Sequence, residues 1–388
     1  MTEQVEFPDL EPLFRPKSVA VIGASNDPGK ISGLPLKNLL ELGYKGKIFP
    51  VNPKREEVQG IKAFPSILDI PEEVDVAIIV IPAAFVADAT RQCVEKGVKA
   101  AVILVASFAE LNEEGKKRQD ELTKIARESG IRILGPNTNG MVNAIERIPL
   151  GYSYAQEVVI PGRLGYVSQS GALLSATVPR FVNRGVGLSY FVGSGNQAGL
   201  ENFDYVRYLL DDPNTDVIAV YSEGVKDPNK FLAVADLAIE KEKPIVMLKI
   251  GRSELSAKTA VAHTASLVGS DSAFDAVCKQ KGIVRVYDFD ELVATSSVFL
   301  KCAIPKGDRI GVVSTSGGAM GLLADHTAEF GITNFPEPSA KTKKALLEIM
   351  TDYEDIKNPL DMGNAASGPA LLSSLSKATP DLGGRCGT

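Results

Sequence analysis

Nucleophiles that work near neutral pH are scarce in this sequence: 388 residues contain two histidines and four cysteines. His263 stands in Gly251-Arg-Ser-Glu-Leu-Ser-Ala-Lys-Thr-Ala-Val-Ala-His-Thr-Ala-Ser-Leu-Val-Gly269. That stretch has too many small residues for a core strand and too few large apolar ones for a packed helix. Neutral imidazole is a good nucleophile near pH 7. A histidine in a small-residue loop that moves between two sites is a phosphate carrier, and it requires anion-binding helix ends elsewhere. Glu223, in Val220-Tyr-Ser-Glu-Gly224, follows a predicted strand. A carboxylate there fixes the tautomer of an imidazole and leaves its other nitrogen free to attack. Ser168-Gln-Ser-Gly171 opens a predicted helix. Ser170 suits its N-cap, and Ser170 with the N–H groups of Gly171 and Ala172 suits a small dianion. The other histidine, His326, shares a four-residue spacing with Leu322 and Phe330, one face of a helix. It reads as a packed or rim residue rather than a catalyst.

A second group of residues points to a larger phosphorylated ligand. Val21-Ile-Gly-Ala-Ser-Asn-Asp-Pro-Gly-Lys-Ile-Ser-Gly33 runs from a predicted strand into a predicted helix. N–H groups and a positive helix end face such a loop. Gly23, Gly29 and Gly33 permit close approach; Ser25 adds a donor and Lys30 a charge. The pattern is not G-x-G-x-x-G. An NAD site wants an acidic residue at the end of the second strand. Here that place reads Val51-Asn-Pro-Lys54. Lys54 favours an additional phosphate, either the 2′-phosphate of NADP or the 3′-phosphate of coenzyme A. Gly135-Pro-Asn-Thr-Asn-Gly140 makes a tight turn at the same edge. No histidine or tyrosine–lysine pair is placed for hydride transfer.

These residues need a scaffold that gathers strand ends. Strands are predicted at Ser18–Ile22, Lys47–Val51, Val74–Ile81, Ala100–Leu104 and Ile131–Leu134, alternating with helices at Gly33–Leu42, Ala84–Lys96 and Asn112–Ser129. The alternation implies a parallel, doubly wound α/β sheet whose ligands bind beyond the carboxyl ends of the strands. A polar, proline-bearing stretch near Ala144–Gly162 then separates a second set, Leu164–Val167, Val186–Val192, Val217–Tyr221 and Ile245–Lys249. Cys302–Asp308 reads as a linker, and Arg309–Val313 as the strand that starts a third region. Val167-Ser-Gln-Ser-Gly171 and Val313-Ser-Thr-Ser-Gly317 repeat one pattern. The domains expected are 1–145, 146–303 and 304–388, the last too short to be complete.

The bulk numbers exclude several classes. Net charge is -6 with 44% hydrophobic and 23% charged residues, which argues against a general nucleic-acid binder. No apolar run reaches membrane-span length and no signal core opens the chain. Cys93, Cys278, Cys302 and Cys386 have no metal-ligand or disulfide spacing, so cytoplasmic thiols and no bound metal are expected.

Taken together, the motifs resemble the α-subunit half of the NDP-forming acyl-CoA synthetases, the superfamily of succinyl-CoA synthetase and ADP-forming acetyl-CoA synthetase. The resemblance spans nearly the whole chain: Leu13-Phe-Arg-Pro-Lys-Ser-Val-Ala-Val-Ile-Gly-Ala-Ser25, Asn52-Pro-Lys54, Gly135-Pro-Asn137, Val167-Ser-Gln-Ser-Gly171, Glu223, Gly251-Arg-Ser253, His263-Thr264, Ser316-Gly-Gly318 and Asn358-Pro-Leu-Asp361. It implies a Rossmann-like CoA-binding domain followed by flavodoxin-like domains. It implies that Gly23, Ser25, Lys30, Lys54 and Asn137 bind coenzyme A and that His263 is phosphorylated. Glu223 would orient that histidine, and Ser170 with Gly171 would hold the phosphate. The implied reaction joins a small carboxylic acid to CoA through an acyl phosphate, at the expense of ATP. The sequence departs from the family at Thr138, where many members have Cys, and at Ala265, where many have Gly. No ATP-grasp region is present, so ATP, ADP and Mg are expected on a partner β-type subunit or domain within an oligomer. A non-catalytic CoA-binding regulatory module and an NADP-dependent reductase are the alternatives.

Overall fold

The computed structural model describes residues 5–152, 159–253, 256, 271–302, 307–348, 350 and 355–363. It divides into two units, Met1–Leu300 and Lys301–Thr388.

In the first unit a short helix α1 (Glu11–Phe14) leads into β1 (Ser18–Ile22), α2 (Leu34–Glu41) and β2 (Lys47–Val51). A small hairpin, β3 (Glu57–Val58) and β4 (Ile61–Lys62), precedes β5 (Val76–Ile79), α3 (Val86–Lys96), β6 (Ala100–Ile103), α4 (Glu113–Ser129) and β7 (Arg132–Leu134). Five strands form a parallel sheet in the order β2-β1-β5-β6-β7. Their Val, Ile and Ala runs follow from burial on both faces. Val19, Val21, Val76, Ile78 and Val102 point into one core, and Ala20, Ile22, Ala77, Ile79 and Ile103 into another. Each such Val or Ile contributes about 1.5–3 kcal/mol relative to exposure. At α4, Asn112 caps the first turn by accepting from the Gly115 N–H at 2.9 Å, and Gly130 ends it with φ +75°.

The chain then forms a hairpin, β8 (Gly140–Asn143) and β9 (Ile148–Gly151), before β10 (Pro161–Ser168), α5 (Gly171–Asn183), β11 (Leu188–Gly193), α6 (Asn202–Asp211) and β12 (Val217–Ser222). Helix α7 (Pro228–Glu240), β13 (Ile245–Lys249), α8 (Asp271–Gln280), β14 (Val284–Val286) and α9 (Phe289–Lys301) follow. The second sheet runs β14-β13-β12-β10-β11-β8-β9. Its first five members are parallel, and the hairpin adds to β11 antiparallel. Part of the stretch expected to separate the sheets is therefore strand: Ile148 and Leu150 are buried, and the Asn38 side chain of α2 donates to the Gly151 carbonyl at 2.9 Å. One face of each sheet shares a core, with Val21, Ile78 and Val102 in the same cluster as Val167, Val192 and Val220. The opposite face of the second sheet packs Tyr166, Leu188 and Ala219 against α5 and α9.

The second unit contains β15 (Val313–Ser314), α10 (Gly317–Glu329), α11 (Ala340–Leu347) and β16 (Leu360–Asp361) around Leu346, Met350, Ile356, Leu360 and Met362. The strand expected over Arg309–Val313 is confined to Val313–Ser314. The Val312 N–H is taken by the Asn358 side chain at 2.9 Å while its carbonyl accepts from the Leu360 N–H at 2.8 Å, and the paired register with β16 begins at Val313. The face carrying Leu322, His326 and Phe330 is not packed within this unit. Leu322 and Phe330 are 66% and 78% exposed, and His326 Nδ1 lies 3.4 Å from Glu329. No helix among the described residues is long and apolar enough to cross a membrane.

Candidate functional site

Both sheets place a topological switch point where the sequence places its motifs. In the first sheet the connection after β1 runs to β2 on one side and that after β5 to β6 on the other, so a crevice opens between their carboxyl ends. In the second, the connection after β10 runs to β11 and that after β12 to β13 on the other side, and the same crevice opens between β10 and β12. The Gly23 loop follows β1. Ser170 and Glu223 follow β10 and β12.

The Gly23 loop is shaped by close approach. Gly23 has φ +90°, and a Cβ there would come within 2.8 Å of the Val80 carbonyl oxygen. Its N–H donates to the Val51 carbonyl at 3.0 Å. Ser25 closes the turn by accepting from the Asp27 N–H at 3.1 Å. Lys30 is exposed and lies 3.8 Å from Asp27. Asn52 donates to the Ala24 carbonyl at 2.9 Å and accepts from the Lys54 N–H at 2.9 Å. The Lys54 step is thus attached to the loop. Gln59, a residue the sequence reading passed over, donates to the Ser25 and Gly33 carbonyls at 2.8 and 2.9 Å and holds the two ends of the loop together. Gly23, Ser25, Lys30 and Lys54 are therefore grouped, with exposed cations beside a glycine turn.

Asn137 is not part of that group. It follows β7, three strand positions from β1, or about 14 Å at the usual strand spacing. Its φ is +58°, a conformation asparagine tolerates. Its N–H donates to the Val105 carbonyl at 2.9 Å and its side chain to Asn196 at 3.2 Å. The N–H groups of Asn196 and Ala198 donate to the Pro136 and Gly135 carbonyls, so the turn is clamped by the loop after β11. Thr138 is buried; its hydroxyl donates to the Gly193 carbonyl and accepts from the Gly140 N–H. A thiol in that place would make a weaker donor.

At the second switch point neighbouring strand ends are joined by hydrogen bonds. Ser194 N–H donates to Ser168, Gln169 N–H to Tyr221, and Ile250 N–H to Ser222. Ser170 is the N-cap of α5 and accepts from the Leu173 N–H at 3.3 Å. The first N–H groups of any helix have no carbonyl behind them, which leaves those of Gly171 and Ala172 available to an anion. Glu223 is 5% exposed, and its N–H donates to the Gln169 side chain at 2.9 Å. Burial, reinforced by the Glu223 charge, raises the pKa of the neighbouring Tyr221 hydroxyl. Asn139 joins the two regions: its side chain donates to the Gly171 carbonyl at 2.9 Å and to Ser175 at 3.0 Å. In the second unit the repeated motif has the same local bonds. Ser316 accepts from the Ala319 N–H at 3.3 Å, as Ser170 does from Leu173, and Ser314 donates to the Ser316 carbonyl as Ser168 does to Ser170.

His263 lies outside the described residues. The root of its segment is at the second edge, where Gly251 has φ +86° and its N–H donates to Ser256 at 3.0 Å. Beside this root is a cavity of about 640 Å³ lined by Lys249, Arg252, Asp271, Asp275, Arg285 and Tyr287 among others. Burial lowers the pKa of the Lys249 ammonium. Among the described residues no three His, Cys, Asp or Glu side chains gather as a metal site.

Comparison with known proteins agrees on the type of both halves. A profile described as a CoA binding domain matches residues 17–144, and one described as a succinyl-CoA ligase like flavodoxin domain matches 161–299. The α subunit of acetate–CoA ligase (ADP-forming) I from Pyrococcus furiosus is 41% identical over 95% of this chain and 80% of its own. Acetate–CoA ligase (ADP-forming) II from Archaeoglobus fulgidus is 40% identical over 92% of this chain but 52% of its own. The chain thus spans most of the first relative and about half of the second. Acetyl-coenzyme A synthetase 1 of Ca. Korarchaeum cryptofilum, solved in complex with phosphate and ADP, superposes with a TM-score of 0.83 at 34% identity, covering 92% of this chain and 76% of that one.

Proposed function

The chain belongs to the family of ADP-forming acyl-CoA synthetases, as an α-subunit-type portion of these acid–thiol ligases, and from that premise we propose that it carries their coenzyme A and phosphohistidine steps. The observation that carries this reading is the switch point of the second sheet. A capped helix start at Ser170–Gly171 and a buried carboxylate at Glu223 share one hydrogen-bonded edge there, and the root of the His263 segment leaves from the next strand.

The roles follow from charge and geometry. Glu223 accepts the N–H of one imidazole nitrogen of His263, fixes the tautomer and stabilises the charge that forms on phosphorylation. The phosphoryl group arrives from ATP on an ATP-grasp subunit or domain, the P–O bond to ADP breaking as the N–P bond forms. Ser170 with the N–H groups of Gly171 and Ala172 holds the phosphoryl oxygens. That group passes to a small carboxylate, breaking the N–P bond and giving an acyl phosphate. The thiol of coenzyme A displaces phosphate from the acyl carbon.

The first sheet suits an extended ligand. Lys30 and Lys54 lie at the β1 and β2 ends, where a 3′-phosphate is paired. Asn137 lies about 14 Å away at the β7 end, toward the second site, where a pantetheine arm reaches. The working protein is a cytoplasmic assembly with the Mg–ATP site on the partner, and the domains are 1–145, 146–303 and 304–388.

The test uses the chain with ³²P-labelled acetyl phosphate, which reaches His263 without an ATP site. Acid-labile label on wild type and none on His263→Asn is expected; unlabelled wild type refutes the relay. Calorimetry with CoA and NADP tests the first sheet. NADP binding without CoA binding would reassign it to a reductase, and CoA binding without phosphorylation would leave only a regulatory module.

A further inference from the structure

We propose that Gln169 is a positioning residue for phosphoryl transfer: its side chain fixes Glu223 against the anion-binding start of α5. The proposal rests on the reading of Glu223 and His263 given above and goes beyond the residues named there.

Gln169 occupies the one position between the end of β10 and the cap of α5. It is 7% exposed. Its own N–H donates to the Tyr221 carbonyl at 3.1 Å, and its side-chain oxygen accepts from the Glu223 N–H at 2.9 Å. The orientation of the amide is set by chemistry, since a peptide N–H can be met only by the oxygen. These two bonds enclose Tyr221, Ser222 and Glu223 and tie the connection after β12 to the connection after β10. The next two residues, Ser170 and Gly171, begin the helix. One side chain therefore spans the gap between the carboxylate and the anion site.

The rest of the Glu223 turn is satisfied locally. The Ser222 hydroxyl donates to the Gly224 carbonyl at 2.5 Å and accepts from the Gly224 N–H at 3.3 Å. The Ile250 N–H donates to the Ser222 carbonyl at 3.1 Å, joining the turn to the root of the His263 segment. Ser222 thus shapes the turn and links it to β13, while Gln169 links it to α5. Without the amide oxygen the Glu223 N–H is buried without its acceptor, and the turn shifts to recover one. A carboxylate displaced by a fraction of an ångström orients an imidazole poorly, and phosphoryl transfer slows while ligand binding persists.

The experiment is a double-mutant cycle on the full chain. The probes are ³²P-labelled acetyl phosphate for the single-turnover rate of His263 labelling and calorimetry for CoA affinity. Gln169→Met keeps the volume and removes the acceptor. It is expected to slow labelling about tenfold, with the half-saturating acetyl phosphate concentration and CoA affinity unchanged. In a Glu223→Gln background, itself slowed, Gln169→Met is expected to add less than about twofold, because the residue acts through Glu223. Gln169→Asn, which is shorter by one methylene and remains polar, carries the same test if the Met variant does not fold. An equal factor in both backgrounds, or no effect, overturns the positioning role. Unslowed labelling of the Glu223→Gln variant overturns the earlier reading of Glu223 instead.

Discussion

Gly171 gives a prediction whose sign depends on one neighbour. In an open helix, replacing glycine with alanine stabilises by up to about 1 kcal/mol. At Gly171 a Cβ would lie 2.8 Å from Asn139 Oδ1 and 2.9 Å from its Cγ. The obstacle is a side chain, so it yields, but in yielding it gives up its bonds to the Gly171 carbonyl and to Ser175. Two such bonds contribute about 1–3 kcal/mol together. Gly171→Ala should therefore destabilise the chain by about 1–2 kcal/mol. In an Asn139→Ala background the obstacle and the bonds are both absent. The same substitution should then be neutral or stabilising, a coupling of about 2 kcal/mol. The assay is urea unfolding followed by far-UV circular dichroism, since the chain has no tryptophan. Additive effects, or a stabilised Gly171→Ala single variant, would refute the reasoning. The same single variant should label His263 more slowly, because Asn139 joins the Gly135–Gly140 turn to the start of α5.

Three further outcomes are expected. Lys54→Ala should weaken CoA about three- to tenfold and leave 3′-dephospho-CoA unchanged in calorimetry, as an exposed lysine paired with a phosphate contributes about 1 kcal/mol; equal losses for both ligands would place the 3′-phosphate elsewhere. Gln59→Leu removes both bonds that hold the Gly23 loop and should cost about 1–2 kcal/mol of CoA binding, five- to thirtyfold in affinity, with little change in labelling of His263 by acetyl phosphate. Burial, and then the nearby Asp204 charge, push the Glu201 carboxyl up to about 8. Between its ordinary value of 4.5 and about 8 the folded chain keeps a proton that the unfolded chain has lost, so stability is fully present below that window and falls as pH rises through it, by at most about 1.4 kcal/mol per pH unit. Glu201→Gln should flatten that slope in urea midpoints measured from pH 5 to 8, and an unchanged slope would show that Glu201 ionises normally.

Much of the scaffold is legible in sequence because burial leaves a local mark. The runs Ser18–Ile22, Lys47–Val51 and Ile245–Lys249 form strands with those bounds, since burial keeps the middle of each run apolar and leaves polar residues such as Lys47 at its ends. The hairpin of β8 and β9 was less legible. Its second strand falls in the polar, proline-bearing stretch that reads as a separator, whereas in the sheet Pro149 lies on the edge strand β9, where proline is tolerated. Leu322, His326 and Phe330 show the reverse: the spacing fits a buried face, yet periodicity does not say whether anything covers it.

The site divides in the same way. Sequence alone determined which residues could act, because glycine at 23, serine at 170 and an acid after a strand at 223 each answer to local geometry: a positive φ, a helix cap and a strand end. It also determined that the folds would be doubly wound, since alternation of strand and helix admits few other arrangements. Tertiary structure decided which of those residues meet. It set Asn137 apart from the Gly23 loop and put Ser170 beside Glu223 by strand order, which no local pattern encodes. It brought in Gln59, Asn139, Gln169 and Asn196, polar side chains whose partners lie 26 to 86 residues away in the chain. Their signal is a hydrogen bond wholly or partly withdrawn from water, and such a bond exists only once both partners have been brought together by the fold.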